Sequence, residues 1–172
     1  MREVIFNKKE IVKINDQTIQ KLKQKALKNF SGKTRLCLHK NIRESLHEMI
    51  IVLCKNVYIK PHKHIKKTES FHVIEGSFFL VIFDKNGKKI ESILIDGKKR
   101  KSNFICRINK NIWHMIVPIT DFVVFHEVTN GPYISKGNSV FASWAPKDDD
   151  YDGIKKFIKA LNSKKLKSNF KG

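Results

Sequence analysis

The chain has 172 residues, 41% of them apolar, and a formal net charge of +19 from 35 basic and 16 acidic side chains. That length suits one domain with a substantial core, and no run approaches the roughly 20 apolar residues of a membrane span. The opening Met1 to Glu10 lacks the apolar stretch of a signal peptide, and three cysteines without CxxC spacing, Cys37, Cys54 and Cys106, argue against a disulfide frame. The plain expectation is a cytoplasmic protein with reduced, mostly buried thiols.

Residues 3–6 predict a short strand. Residues 16–30 predict an amphipathic helix, with Asp16 capping it and Ile19, Leu22, Ala26, Leu27 and Phe30 at helical spacing, stopped by Ser31-Gly32. From Thr34 the pattern changes. Segments near 34–39, 46–59, 70–83, 89–95, 103–108, 113–117 and 121–129 are rich in Val, Ile, Phe and Leu and predict strands. Turn signals at Asp84-Lys-Asn-Gly87, Asp96-Gly97, Asn109-Lys-Asn111 and Asn130-Gly-Pro132 punctuate them. After Pro146 an acidic run, Asp148-Asp-Asp150, precedes a helix over 153–162, with Asp152 as its cap and Ile154, Phe157, Ile158 and Leu161 as its apolar stripe. A lysine-rich, frayed tail runs from Ser163 to Gly172. Many short, punctuated strands predict a mainly β sandwich or barrel with one helix at each end. The division is 1–33 as an N-terminal extension, 34–147 as the barrel and 148–172 as the C-terminal helix and basic tail, all in one structural domain.

The chemistry concentrates between residues 61 and 76, Pro-His-Lys-His-Ile-Lys-Lys-Thr-Glu-Ser-Phe-His-Val-Ile-Glu-Gly. Side chains two apart on a strand share a face, so His62 and His64 point together while Lys63 faces away. Glu69 follows after a turn, and His114 of Asn109-Lys-Asn-Ile-Trp-His114 is a fourth candidate ligand if the strands fold back antiparallel. Glu69, Phe71 and Val73 share a face, so His72 points the other way and is left out; Trp113 should point away from His114. Imidazole and carboxylate suit one divalent transition metal, Fe, Mn, Ni, Cu or Zn, in place of Ca or Mg. Four protein ligands leave positions open on a metal that accepts six.

His62-x-His64-x4-Glu69-x6-Gly76 resembles the first cupin motif, and Asn109-x-Asn111-x2-His114 resembles the second, with Asn109 and Asn111 in place of its Pro and Gly. Asn tolerates the left-handed backbone better than most residues, so a turn at 111 is retained. Pro118 stands where the pattern usually has Asn. Arg35-Leu-Cys-Leu-His39, Glu48-Met-Ile-Ile51, Gly131-Pro-Tyr133 and Trp144-Ala-Pro146 extend the likeness to the WbuC-type cupin metalloproteins across residues 34–147. The resemblance implies a double-stranded β-helix, or jelly-roll barrel, with a metal inside it. It also implies a setting in bacterial surface polysaccharide (O-antigen) biosynthesis, although the family's own reaction is not established.

Polar side chains on inward faces are the candidates for substrate contact. Arg35 and His39 share one face of an early strand and His47 lies on the next, so the substrate-binding candidates are Arg35, His39, His47 and Tyr133. His39 and His47 can equally be strand residues with local hydrogen bonds. Tyr133 can act as acid, base or anchor at the barrel mouth, or cap the core; His39 and Tyr133 are the catalytic candidates. Trp144 reads as a packing anchor, and Glu127 as a partner for a histidine N–H.

Three functions follow. The first is a metal-dependent isomerase or epimerase acting on a sugar or nucleotide sugar. The second is an Fe(II)-dependent dioxygenase, and the third a non-catalytic, metal-dependent small-molecule binding protein. Thirty of the 35 basic residues are lysine, spread along the chain. Sequence readers rely on arginine's fixed bidentate donors, so composition argues against a nucleic-acid partner and fits an anionic sugar nucleotide better. Long apolar strands make a homodimer an expectation.

Overall fold

The computed structural model describes residues 3–98, 102–134 and 139–163. Among these are β1 (Val4–Phe6), α1 (Asp16–Lys28), β2 (Lys33–Cys37), β3 (Leu46–Cys54), β4 (His62–His64), β5 (Glu69–Glu75) and β6 (Ser77–Phe83). They continue with β7 (Lys89–Asp96), β8 (Ile105–Ile108), β9 (Trp113–Pro118), β10 (Phe122–Asn130), β11 (Ser139–Phe141) and α2 (Tyr151–Ser163). One sheet runs β1-β2-β3-β10-β5-β8 and the other β11-β4-β9-β6-β7. The two face each other as a jelly roll.

Strand parity builds the interior. On β10, Val123 and Phe125 point inward, and Val124 points outward to the face that α1 covers. The unbroken apolar run of β3 has the same origin: Met49, Ile51 and Leu53 face the core, while Ile50 and Val52 pack on Ile19, Leu22 and Ala26 of α1. A strand covered on both faces loses the alternation of a half-exposed one. At the centre Phe71, Phe78 and Phe125 meet with ring centroids 5.6 to 6.5 Å apart, the edge-to-face range for aromatic pairs.

Several boundaries differ from those predicted. Asn15 caps α1, its Oδ1 accepting the Thr18 N–H at 3.0 Å, so the cap falls one residue before Asp16. The helix ends at Lys28, which leaves Phe30 beyond its phase and fully exposed, with Leu27 also on the solvent side. Asp150, and not Asp152, accepts the Gly153 N–H at 2.9 Å at the start of α2. The predicted strand 46–59 stops at Cys54, and 70–83 divides at Gly76. There φ is +79°, and a Cβ would lie 2.1 Å from the Phe122 carbonyl oxygen, so glycine is required. Strand β11 carries no signal beyond three residues and was not predicted. Residues 164–172 of the basic tail lie outside the described residues.

Phe157, Ile158 and Leu161 of α2 pack on Phe83, Trp113 and Trp144, outside the second sheet. Trp144 is thus a packing anchor, 5.1 Å from the Phe83 ring centroid. Cys37, Cys54 and Cys106 are free thiols, of which only Cys37 is fully buried.

Candidate metal centre

The four candidate ligands come from both sheets. His62 and His64 sit at the two ends of β4, on one face, while Lys63 projects to the other and places its Nζ 4.9 Å from the Trp113 ring centroid. Glu69 opens β5 in the opposite sheet. His114 pairs with His62 across β4 and β9. The turn that delivers it passes through Asn111 at φ +67°, the left-handed conformation that the Asn-for-Gly replacement tolerates. His72 lies on the outer face, exposed, opposite His126.

One donor atom from each of His62, His64, Glu69 and His114 lies within 4.8 Å of the other three. Ligands at about 2.0–2.2 Å from a common ion sit at most about 4.4 Å apart, so the cluster closes on a metal with small adjustment. The rings are pre-oriented. His62 Nδ1–H donates to the Lys60 carbonyl at 2.9 Å and His114 Nδ1–H to the Ile112 carbonyl at 3.0 Å. Carbonyl oxygens only accept, so the proton sits on Nδ1 and the Nε2 lone pair faces inward. His64 Nδ1 contacts the Ser139 hydroxyl at 3.2 Å. Glu69 then meets His64 Nε2 at 2.9 Å through Oε1, and His114 Nε2 at 3.3 Å through Oε2. A lone pair facing a carboxylate is resolved by a second ring proton or by a cation between them. The donor set therefore fits a divalent metal.

Burial, reinforced by His114, holds the His62 ring down to about 4 from its ordinary 6.5. For Glu69, burial acts upward, but contacts with His114 and His64 outweigh it and keep the carboxyl below its usual range. Neutral imidazole beside ionised carboxylate is the protonation state that metal binding requires.

The remaining candidates have the following partners. Arg35 is half-exposed and 3.8 Å from Glu3 Oε1. His39 and His47 stack with centroids 4.1 Å apart, and His39 Nδ1 lies 3.1 Å from the Glu48 carbonyl oxygen, the local bonding that was the alternative to a substrate role. Tyr133 is exposed at the rim, with Lys67 Nζ 5.6 Å from its ring centroid. Glu127 is pushed up to about 8, first by burial and then by Glu69, against the pull of Arg35, His64 and Lys67. Lys67, Thr129 and Ser139 complete the surroundings and were not predicted. Thr129 was readable, since it shares the inward parity of Val123 and Phe125; Ser139 depends on a strand without sequence signal.

These features define a cupin-fold protein with a candidate three-histidine, one-glutamate metal centre. A family model described as a domain of unknown function (DUF6016) matches residues 14–95. No curated protein matches the sequence. Among solved structures, the capsular polysaccharide assembling protein CapF from Staphylococcus aureus aligns with a TM-score of 0.52 and 17% identity, over 63% of this chain and 31% of that one. A protein from Shewanella oneidensis aligns with a TM-score of 0.52 and 8% identity, over 66% and 75%. The chain spans less than a third of CapF's length, and at these identities the likeness shows the fold alone. No helix among the described residues is long and apolar enough to cross a membrane.

Proposed function

We propose that the chain binds one divalent transition metal through His62, His64, Glu69 and His114, and is a metal-dependent enzyme acting on a sugar or nucleotide sugar. Isomerisation or epimerisation in bacterial surface polysaccharide biosynthesis is the reaction class. The observation that carries it is the convergence of four donor atoms within 4.8 Å, on rings whose Nδ1 atoms are already committed. The WbuC-type motifs and the fold shared with a capsular polysaccharide assembling protein support the setting. A cytoplasmic homodimer whose barrel spans 34–147 belongs to the same proposal.

A divalent metal held there would supply Lewis acidity toward a carbonyl or vicinal hydroxyls. The chain's own residues supply the rest. Glu69 offsets the ion's charge and anchors His64 and His114. Glu127, diagonal to Glu69 across β5 and β10, has its carboxyl pushed up to about 8, first by burial and then by Glu69. Tyr133 at the rim is the proton carrier closest to solvent, and His39 acts through the stacked His47.

Elemental analysis of untagged protein tests the metal. One transition-metal ion per chain is expected, lost in His62→Ala, His64→Ala and His114→Ala. Metal-dependent turnover within a panel of nucleotide sugars tests the reaction; metal-free protein that is folded and active would overturn the mechanism.

A further inference from the structure

We propose that Lys67, Thr129 and Glu127 form a subsite beside the four ligands for a small polyhydroxylated anion, its negative group on Lys67 and its hydroxyls on Thr129 and Glu127. This rests on the metal-site reading above and adds to it the substrate's charge and the residues that read it.

Thr129 is the central observation. It pairs with Glu69 across β5 and with His47 across β3, so it lies directly beside a candidate ligand. Its parity with Val123 and Phe125 sends the side chain inward, and it is 6% exposed. Its hydroxyl has no hydrogen-bond partner among the described residues. Leaving a buried hydroxyl unpaired costs about 1–3 kcal/mol, so a group kept at this position is completed by something that binds there.

Lys67 supplies the charge. It precedes Glu69 by two residues and is 7% exposed. Among the described residues its ammonium makes no ion pair and lies over the Tyr133 ring. Glu69 and Glu127 act on its charge without forming an ion pair with it, and a shielded, unpaired ammonium is complementary to an incoming anion. Glu127 completes the wall. It is two residues from Thr129 on the same face of β10, which makes it the diagonal neighbour of Glu69, about 7–8 Å away between strands. Its carboxyl feels the charges of Glu69, His64 and Lys67.

A cation, a hydroxyl and a carboxyl gathered beside one ligand match a molecule that carries both a negative group and hydroxyls. An apolar substrate would leave all three unpaired, and a neutral sugar would leave Lys67 unpaired. Carboxylate and phosphate share the required chemistry, so both are tested.

The experiment is calorimetric titration of the metal-loaded full chain with galacturonate, galactose 1-phosphate and galactose. At least one of the two anions should bind about tenfold or more tightly than galactose, the range for a charge-assisted hydrogen bond. Lys67→Met should bring the anions down to the affinity for galactose, while Lys67→Arg retains the preference. Thr129→Val should weaken all binding several-fold, with Thr129→Ser restoring it. Metal content, measured on the same samples, should be unchanged; its loss in the parent protein would sink the metal reading instead. Equal affinity for the three probes, no binding by any, or an anion preference that survives Lys67→Met overturns the subsite.

Discussion

The backbone N–H of Asn111 donates to the carbonyl of His64 at 2.7 Å. This bond ties the turn before one candidate ligand to the strand that carries two others. Asn111 occupies the left-handed region, which costs most L-residues about 1–2 kcal/mol. Asn111→Ala should therefore lower stability by about 1 kcal/mol and weaken metal binding, because the turn positions His114. Asn111→Gly should match or exceed the parent in both. Denaturant unfolding and metal titration check this, and an alanine variant with unchanged midpoint and affinity would refute it.

Ser139 holds His64 from outside the cluster, Oγ to Nδ1 at 3.2 Å. Residues that orient a metal-binding histidine typically contribute 10- to 100-fold in affinity. Ser139→Ala should lower metal affinity about tenfold while leaving the unfolding transition of the metal-free protein where it was. A chelator competition assay measures the first, and no change in it would remove Ser139 from the site.

The His62 ring is held at about 4 in the fold, against 6.5 when free. Between those values the unfolded chain binds a proton that the folded chain does not. The stability contributed by His62 therefore rises with pH across this window and is lost as pH falls from 6.5 toward 4. This contribution should reach about 3 kcal/mol in the metal-free protein, and Glu127 opposes it over the same interval. Glu69, held low in the fold, adds to it below its ordinary 4.5. Unfolding free energies at pH 7 and pH 4.5, compared between the parent and His62→Gln, isolate the contribution; the same pH dependence in both proteins would refute it.

Glu127 has the opposite sign. Its carboxyl is raised to about 8 from an ordinary 4.5, so the folded state holds the extra proton and stability falls as pH rises through that interval. Glu127→Gln should remove this decline and make the metal-free protein more stable than the parent at pH 9. Thermal midpoints at pH 5 and pH 9 decide it; identical slopes in the two proteins would show that the carboxyl is ionised throughout.

Packing predicts a sharp contrast between two phenylalanines. Phe125 is almost wholly buried between Phe71 and Phe78, so Phe125→Ala should cost about 3–5 kcal/mol. Phe30 is fully exposed, and Phe30→Ala should change stability by less than about 0.5 kcal/mol. Chemical denaturation of both variants tests whether the predicted helix stripe or the observed helix end is correct.

Of the four candidate ligands, His62 and His64 were legible in the sequence because strand parity is strictly local, and Glu69 and His114 were named through the cupin-motif resemblance. Alternation alone puts His62 with His64, excludes Lys63 and turns His72 outward. The apolar runs and their turn residues likewise marked most strands, and the left-handed tolerance of Asn kept the turn at 111 open. Helix ends were less legible, since Asn15 and Asp150 compete with neighbouring acidic residues as caps and only backbone geometry selects between them.

Tertiary structure decided whatever depends on which strands become neighbours. The sequence cannot state that β5 lies beside β10 and β10 beside β3, because those pairings join residues 49 to 84 positions apart. That adjacency puts Thr129 between Glu69 and His47, and Glu127 two residues further along on the same face. In the other sheet the pairing of β11 with β4 brings Ser139 to His64, while His39 stacks on His47 and Lys67 lies over the Tyr133 ring. The four candidate ligands could therefore be named from the sequence itself. The surroundings of these residues came only with the sheet order, because burial and the fields of neighbouring side chains exist only once distant strands are packed together.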